Sequence, residues 1–236
     1  MSKGFFITGT DTGVGKTVIA AGLIRAAYML GVRACGMKPV ETGCSRQGDV
    51  LIPADGSFLK KISRMEEAIN RIVPYCFESP LSPMSASEIE GVRIDPLWVM
   101  HEFNELKKRY EFAVVEGIGG LLVPLKKGYF VLDMARDFGL PVVVVSRPSL
   151  GTINHTLLTV NYALREGLDV AGVIINYSNP PDGSLAEETN AYALRALLPV
   201  PLIGVMPYLD DMETETLERA VRKNLDLEVI RRYLSA

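Results

Sequence analysis

Short apolar runs and longer amphipathic segments alternate along the chain. The apolar runs are rich in β-branched and aromatic residues and match strands buried on both faces, whereas the longer segments repeat their apolar residues at helical spacing. Strands are predicted over residues 5–7, 34–38, 112–115, 141–146, 170–176 and 202–205, and helices over 17–30, 57–63, 96–110, 131–138, 153–166 and 186–198. This order predicts an α/β fold with a single doubly wound, mostly parallel sheet and helices on both faces, in one domain spanning residues 1–236.

Three segments depart from this alternation. Glycine and proline recur in residues 40–56, and because both residues interrupt regular secondary structure, a loop is predicted there. Prolines also interrupt residues 71–93, so this segment is predicted to be irregular, with one or two helical turns over residues 85–90. Residues 213–236 are predicted to form one or two helices with polar faces.

The balance of charge argues against two classes of partner. The chain has 236 residues, of which 48% are hydrophobic and 22% charged, with a formal net charge of −3. Nucleic acid is not an expected partner, because binding it needs clustered Lys and Arg and the chain has no long basic run. No apolar stretch is long enough to span a bilayer, and Met1-Ser2-Lys3 leads straight into the first predicted strand. We therefore expect no membrane partner and no signal peptide.

The cysteines favour a cytoplasmic location. Cys35, Cys44 and Cys76 are odd in number and lack the close spacing of metal-ligand pairs. We expect free thiols in a reducing compartment, and a metal cluster of these cysteines with the two histidines is the weaker alternative.

The clearest chemical signal lies between the first predicted strand and the first predicted helix. Residues 9–17 fit the phosphate-binding pattern of Gly, four residues, Gly-Lys-Thr. Gly13 and Gly15 can adopt backbone angles that other residues avoid, which lets successive N–H groups point at a phosphate beside the positive end of the helix dipole. Lys16 is then expected to reach the β- and γ-phosphates, and the Thr17 hydroxyl to bind Mg²⁺. The order strand, loop, helix favours a nucleotide site over a glycine-rich turn with a surface lysine.

One position in this loop bears on the class of protein. Partition-type ATPases carry an additional lysine directly after the first glycine of the pattern, where this chain has Thr10. A partition-type ATPase is therefore a less favoured alternative. Thr10, Asp11 and Thr12 instead supply short polar side chains that could contact a second substrate.

Polar residues near the ends of other predicted elements are candidates for the same site. Lys38, Glu116 and Asn176 each follow an apolar run, at the strand end where open α/β sheets bind ligands. An acidic residue such as Glu116 is expected to support a Mg²⁺ site, and the amide of Asn176 can read the edge of a purine base. Asp55 lies just before the helix predicted at residue 57.

Each of these candidates has a structural alternative. Lys38 could be a solvated lysine, and Asp55 could be a helix cap. Glu116 could be a strand-end carboxylate facing water, and Asn176 could be a turn residue. From local sequence alone, the structural alternatives are favoured for Lys38 and Asp55, and the functional one for Glu116.

The start of the helix predicted over residues 153–166 is a further candidate. Its free N–H groups could hold an anion, or Thr152 and Asn154 could serve only to cap the helix.

Taken together, five segments resemble the dethiobiotin synthetase family, whose ATP-dependent enzymes act in biotin synthesis. The segments run in family order across nearly the whole chain, and the first is more specific than a bare phosphate loop because Thr-Gly-Thr opens it. They are FITGTDTGVGKT at residues 6–17, GMKPVETG at 36–43, VVEGIGG at 114–120, LGTINH at 150–155 and GVMPYL at 204–209.

The resemblance implies a reaction and its cofactors. In this family CO₂ carbamates 7,8-diaminononanoate, the carbamate oxygen attacks the γ-phosphate of ATP, and the second amine closes the ureido ring and expels phosphate. ATP as co-substrate and Mg²⁺ as cofactor are therefore expected. A small-molecule kinase and a partition-type ATPase switch on the same fold are the alternatives.

The family's functional positions also carry over residue by residue. Lys38 matches the catalytic lysine and Lys16 the lysine of the phosphate loop, while Thr17, Asp55 and Glu116 match the Mg²⁺ ligands. The matches to ATP-binding positions are Gly13, Val14, Gly15, Lys16, Thr17, Val18, Asp55, Glu116, Gly117, Ile118, Gly119, Asn176, Tyr177, Val205, Met206 and Pro207, and those to substrate-binding positions are Thr12, Thr42, Leu150, Gly151, Thr152, Ile153 and Asn154.

The resemblance further implies a homodimer with the substrate near the subunit interface. Residues 150–154 of one chain would bind the carboxylate of a substrate that lies in the active site of the other chain.

Two positions depart from the family pattern. Gly13 stands where some members have Glu, which removes any contact from that carboxylate, and Thr42 stands where others have Ser, which keeps the hydroxyl.

Overall fold

Strands and helices alternate through a computed structural model that describes residues 3–235. The predicted α/β class is confirmed, and most predicted elements lie within a few residues of their expected bounds. The elements are, in chain order, β1 (Gly4–Gly9), α1 (Lys16–Met29), β2 (Ala34–Met37), β3 (Val40–Thr42), β4 (Ser45–Gln47), β5 (Val50–Ile52), α2 (Ala54–Ser63), α3 (Ile69–Ile72), β6 (Tyr75–Phe77), α4 (Pro83–Glu90), α5 (Pro96–Lys107), β7 (Phe112–Glu116), β8 (Pro124–Lys126), β9 (Tyr129–Phe130), α6 (Val131–Phe138), β10 (Val142–Ser146), α7 (Thr152–Arg165), β11 (Val170–Asn176), α8 (Leu185–Leu197), β12 (Leu202–Met206), α9 (Thr214–Asn224) and α10 (Leu227–Ser235).

A six-stranded parallel sheet forms the centre, with the order β12-β11-β10-β1-β7-β2. The first strand lies inside this sheet, because β1 pairs with β7 on one side and with β10 on the other. The carboxyl ends of all six strands meet at one edge, where doubly wound folds bind their ligands.

Two apolar layers cover the sheet, as strands buried on both faces require. Neighbouring residues of β1 and β10 contribute to opposite layers: Phe5 packs with α1, α9 and α10, whereas Phe6 packs with α5, α6 and α7. This explains why the strands are continuous apolar runs without polar alternation.

A glycine in β2 sets the distance of α2 from the sheet. A Cβ atom on Gly36 would lie 2.9 Å from Cβ of Leu59 and 3.0 Å from Cδ1 of Ile24, which is closer than side chains pack. The absence of a side chain therefore lets α2 lie directly against β2. The start of α2 consequently comes close to the end of β2.

The prediction of a loop over residues 40–56 is wrong. The strands β3, β4 and β5 lie there, and α2 begins at Ala54 instead of residue 57. The partner of β3 is β6, which is remote in sequence, and β4 pairs with β5 across Gly48, whose φ is +59°. Such short strands carry no periodic signal of their own, because a distant partner or a tight turn determines them.

Other differences are smaller. Residues 71–93 are more regular than predicted, since β6 and α4 lie within them, and the hairpin of β8 and β9 was not predicted. The helix expected to end at residue 110 ends at Lys107. Residues 213–236 contain two helices, α9 and α10, and position 236 lies outside the described residues.

Within residues 3–235, none of the helices combines the length and the apolar character needed to cross a bilayer.

The packing around Phe5 gives a test of the fold. Phe5 is fully buried, and its ring meets the rings of Phe112 and Tyr233 edge-on, with centroids 5.3 Å apart in each case. Phe5→Ala should lower the free energy of unfolding by about 3–5 kcal/mol, because it leaves a cavity between the sheet and α10. Urea denaturation measures this loss. Tyr192→Ala, at a side chain that is 79% exposed, is the control and should change the value by less than about 0.5 kcal/mol.

Candidate active site

The loop from Thr10 to Gly15 connects β1 to α1 and has the shape of a phosphate-binding loop. Gly13 and Gly15 adopt left-handed backbone angles, with φ of +74° and +83°. A Cβ atom on Gly15 would lie 2.1 Å from Nδ2 of Asn176, so only glycine fits there. No side chain caps the start of α1, which leaves its first N–H groups available to an anion.

Asn176 supports this loop from the end of β11. Its Nδ2 donates a hydrogen bond to the backbone oxygen of the buried Val14 at 3.0 Å. Its Oδ1 is also buried, and among the described residues it has no hydrogen-bond partner. An orphaned buried acceptor suits a donor from a ligand. The alternative of a turn residue is wrong, because Asn176 is the last residue of β11.

Four other residues that match ATP-binding positions, Tyr177, Val205, Met206 and Pro207, lie beside Asn176. Asn176 pairs with Met206 across β11 and β12, and the N–H of Tyr177 donates to the oxygen of Met206 at 3.0 Å. Val205 is half-buried and Pro207 is exposed at the end of β12. The ends of β11 and β12, which carry these residues, therefore lie side by side at the ligand edge of the sheet.

Lys16 is buried at the start of α1, with an exposure of 7%. Its Nζ donates to the backbone oxygen of Asp11 at 3.2 Å, and the carboxylate of Asp11 forms an ion pair with Arg147. Burial, together with the nearby charge of Lys38, lowers the pKa of Lys16 to about 8. A bound phosphate would oppose both effects, because a nearby negative charge favours the protonated amine.

Lys38 forms the centre of a buried ionic cluster. Its Nζ lies 2.5 Å from Oε1 of Glu116 and 3.0 Å from Oδ2 of Asp55. The Thr17 hydroxyl donates to the same Oε1 of Glu116 at 2.9 Å. Four predicted site residues from α1, β7, α2 and the end of β2 therefore meet at one point.

These contacts decide between the alternatives at three positions. The solvated lysine is wrong for Lys38, which is 4% exposed, and the carboxylate facing water is wrong for Glu116, which is 1% exposed. The helix cap is wrong for Asp55, because Pro53 occupies the N-cap position of α2 and Asp55 points at Lys38 from the first turn.

The charge of Lys38 is firmly held. Burial by itself favours the neutral amine, but the carboxylates of Glu116 and Asp55 outweigh burial and raise the pKa of Lys38 above its usual range. The carboxylates thus favour the protonated side chain, which can stabilise negative charge.

The residues predicted to hold Mg²⁺ fit a hard cation. They offer two carboxylates and a hydroxyl, and Oε2 of Glu116 is buried without a hydrogen-bond partner among the described residues. Within residues 3–235 no group of three or more His, Cys, Asp or Glu side chains could hold a metal by itself. Phosphate oxygens and water would have to complete the coordination, as is usual for Mg²⁺ in nucleotide sites.

The backbone after β7 runs close to the phosphate loop. Gly117 donates its N–H to the oxygen of Ile7 at 2.9 Å, and Gly119 has a φ of +59°. A Cβ atom on Gly120 would lie 3.1 Å from the oxygen of Gly9. Ile118, between these glycines, is half-buried, and Val18 is half-buried in the first turn of α1.

A cleft of about 590 Å³ opens on the other side of the loop. Thr12, predicted to bind substrate, lines it, together with residues that the sequence did not indicate. These are Leu121, Leu122 and Val123 after β7, and Leu158, Thr159 and Tyr162 on α7. These residues lie at ordinary helix and loop positions, and no sequence pattern marked them as binding residues. Thr42, the other predicted hydroxyl, is half-buried at the end of β3.

The segment Leu150–Asn154 lies at the start of α7, with Gly151 as its N-cap at a φ of +93°. Thr152 is less available than predicted, because its side chain is 1% exposed and its N–H donates to Ser149. In the described chain the N–H groups of Ile153 and Asn154 have no hydrogen-bond acceptor. Leu150 is 87% exposed, and Asn154 lines a shallow groove along α7.

One buried carboxylate near this site was missed. Both oxygens of Glu41 accept N–H bonds at the start of α2, from Asp55 and Gly56, each at 3.0 Å. An acidic residue inside the segment 36–43 was the only signal available, because its partners, Asp55 and Gly56, lie at the end of the segment that was predicted to be a loop.

Comparison with solved structures supports the fold. The MinC:MinD cell division protein complex of Aquifex aeolicus aligns with a TM-score of 0.56 at 14% identity, covering 100% of this chain and 96% of that chain. A ParA family ATPase from Chlorobium tepidum aligns with a TM-score of 0.53 at 14% identity, covering 94% and 91%. At this level of identity the likeness concerns the fold alone and does not favour the partition-type alternative.

Comparison of sequences is more specific. A family model described as an AAA domain matches residues 3–216. The ATP-dependent dethiobiotin synthetase BioD of Thermodesulfovibrio yellowstonii is 42% identical over 98% of this chain and 99% of its own length. The protein of the same name from Bacillus subtilis is 40% identical over 97% of both chains. The chain therefore belongs to the dethiobiotin synthetase family of AAA-domain proteins.

Proposed function

We propose that the protein is an ATP-dependent dethiobiotin synthetase. One amine of 7,8-diaminononanoate combines with CO₂ to form a carbamate, whose oxygen attacks the γ-phosphorus of ATP and displaces ADP. The second amine then attacks the carbonyl carbon of this carbamic-phosphoric anhydride, closes the ureido ring and expels phosphate. The observation that carries the proposal is the buried Lys38, held beside the phosphate loop by Glu116 and Asp55.

The phosphate loop supports the positioning of ATP. The uncapped start of α1 would bind the β- and γ-phosphates with its N–H groups, and Lys16 would add a charge that is poorly solvated in the free protein. The orphaned Oδ1 of Asn176 would accept a hydrogen bond from the exocyclic amine of adenine. Tyr177 and the segment 205–207 would form the rest of the base pocket.

Thr17, Asp55 and Glu116 would hold Mg²⁺ together with phosphate oxygens. When bound, this ion supplies charge neutralisation on the triphosphate. The remaining oxygen of Glu116 has no competing partner among the described residues, which favours such a role.

Lys38 would act on the groups that react. Its carboxylate partners keep it protonated, so its role is electrostatic, directed at the oxygens of the carbamate and of the transferring phosphoryl group. Phosphoryl transfer needs orientation and charge neutralisation more than covalent help from the protein. Lys38, as a cation held between the phosphate loop and the carbamate, would serve both orientation and charge neutralisation.

The cleft beside Thr12 suits the diamine acid. The apolar side chains of Leu121, Leu122, Leu158 and Tyr162 can cover its aliphatic chain, and Thr12 can bond an amine or the carbamate. The cleft begins at the phosphate loop, so the reacting amines would lie near the γ-phosphate. Thr42 would make a further polar contact.

We also propose a homodimer that completes this site. Leu122, Leu150 and Leu158 are 58%, 87% and 62% exposed, and Leu122 and Leu158 line the cleft itself, where a second subunit could cover them. Leu158 and Tyr162 line both the cleft and the groove along α7 that Asn154 also lines. The unbonded N–H groups of Ile153 and Asn154 would bind the carboxylate of a substrate held by the other subunit.

Product analysis tests the reaction. Incubation with ATP, Mg²⁺, bicarbonate and 7,8-diaminononanoate should give dethiobiotin and phosphate in equal amounts, measured by mass spectrometry and a phosphate assay. Lys16→Ala should lower the rate on the order of 10³-fold, because it removes a charge that acts on the transferred group. A stable phosphorylated product without a cyclic urea would instead mark a small-molecule kinase.

The pKa of Lys16 predicts that ATP binding takes up a proton. The free protein has a Lys16 pKa of about 8, and phosphates should raise it towards its ordinary value, so affinity should fall as the pH rises through 8. Calorimetry at pH values near 8.5, in two buffers of different ionisation enthalpy, measures the uptake. Lys16→Met is the control that should abolish the difference. Equal uptake by that variant would assign the proton to another group.

Mixed dimers test the shared site. Lys16→Ala damages the phosphate loop, and Asn154→Glu should repel the substrate carboxylate without the backbone strain of replacing Gly151. After random exchange about half of the dimers are mixed and hold one intact site, so about a quarter of wild-type activity should return.

Lys16→Ala mixed with Lys38→Ala is the matched control for this experiment, because both changes lie in the same half of the site and no intact site can form. Native mass spectrometry verifies the exchange. Complete exchange of the first pair without recovery would rule out a shared site.

A further inference from the structure

Glu41 lies on β3 beside the proposed site, yet the reaction described above gives it no part. Its side chain is 6% exposed, although a carboxylate is costly to bury. The cost is offset because Oε1 accepts the N–H of Asp55 and Oε2 accepts the N–H of Gly56, each at 3.0 Å. Both oxygens are therefore directed at the start of α2.

A helix cap alone does not explain this arrangement. The N-cap position of α2 is Pro53, which has no side chain able to accept a hydrogen bond, and a Ser or Asp at that position could cap the helix locally. Instead β3 supplies the cap through Glu41, and this arrangement requires a carboxylate to be buried. What Glu41 adds is a connection between β3 and α2.

This connection fixes one of the proposed metal ligands. Glu41 is three residues after Lys38, whose own N–H donates to the oxygen of Ile72 at 2.9 Å. The backbone from Lys38 to Glu41 is thus held in place, and Glu41 holds the backbone of Asp55. The 3.0 Å contact between Lys38 and the Asp55 carboxylate then follows from backbone geometry.

The packing at Gly56 leaves this geometry little freedom. A Cβ atom on Gly56 would lie 2.0 Å from Cγ2 of Val73 and 3.6 Å from Oε2 of Glu41. The first turn of α2 is therefore pressed against the segment after α3. The Asp55 side chain itself is 40% exposed, with its carboxylate 3.0 Å from Lys38, so the position of its backbone bears directly on where the carboxylate lies.

We propose that Glu41 is a positioning residue that orients Asp55 to bind the divalent cation of the nucleotide complex. This inference rests on the proposed role of Asp55 in the function given above. It assigns to Glu41 no contact with substrate or cation.

Nucleotide binding, measured by calorimetry with a non-hydrolysable ATP analogue, tests the proposal without relying on turnover. Glu41→Gln is isosteric but presents an amide N–H₂ to one of the two backbone N–H groups. Binding in Mg²⁺ should weaken about 10-fold, which corresponds to about 1.4 kcal/mol, while binding in EDTA should stay unchanged. Glu66→Gln, the same change at an exposed carboxylate, is the control and should alter neither value.

A double variant separates positioning from stability. Asp55→Asn should itself weaken binding in Mg²⁺, and Glu41→Gln should add nothing further in that background if it acts through Asp55. If Glu41→Gln does not fold alone, Pro53→Ser gives α2 a local cap, and the combined variant should recover its melting temperature but not its Mg²⁺-dependent affinity. Recovery of both would reduce Glu41 to a cap and overturn the proposal.

The outcomes also distinguish this inference from the function on which it rests. If the unchanged protein binds the nucleotide equally well with and without Mg²⁺, the proposed metal site is wrong. A normal Mg²⁺ dependence in Glu41→Gln, together with its loss in Asp55→Asn, would overturn the role of Glu41 alone.

Discussion

The need to neutralise one buried lysine determines the architecture of this site. An ammonium group taken out of water is costly unless opposite charges surround it, and Lys38 obtains them from elements far apart in the chain. Glu116 comes from β7, which lies between β1 and β2 in the sheet. Asp55 comes from α2, which reaches Lys38 because Gly36 allows it to lie directly against β2.

The same charges connect the fold to the chemistry. The carboxylates that neutralise Lys38 in the free protein are those proposed to hold Mg²⁺. In the proposed complex with ATP, the anionic partners left for Lys38 would be the oxygens of the carbamate and of the γ-phosphoryl group. The internal ion pair of the free protein would thus already hold the geometry that the proposed ligands use, so little reorganisation would be needed.

Much of this was predictable because its signals are local. The phosphate loop has fixed spacing, the buried strands are continuous apolar runs, and Glu116 and Asn176 follow such runs at the ligand edge of a parallel sheet. Local sequence alone favoured a solvated lysine for Lys38, and only the resemblance to a family indicated a functional role for it. The role of Glu41 was not predictable in this way. It depends on the pairing of β3 with β6 and on the early start of α2, both of which depend on contacts between distant residues. The walls of the cleft, such as Leu158, are ordinary helix positions until the fold brings them to the loop.

The position of β1 inside the sheet has a consequence for the order of folding during synthesis. The phosphate loop leaves the ribosome before both strands that flank β1, so β1 lacks one neighbour until residues 112–116 are made and the other until residues 142–146 are made. Until then its apolar faces and unpaired backbone edges have no partner, a state in which nascent chains depend on chaperones. The part of the chain with the clearest chemical signature is thus the part whose structure must wait longest for the rest.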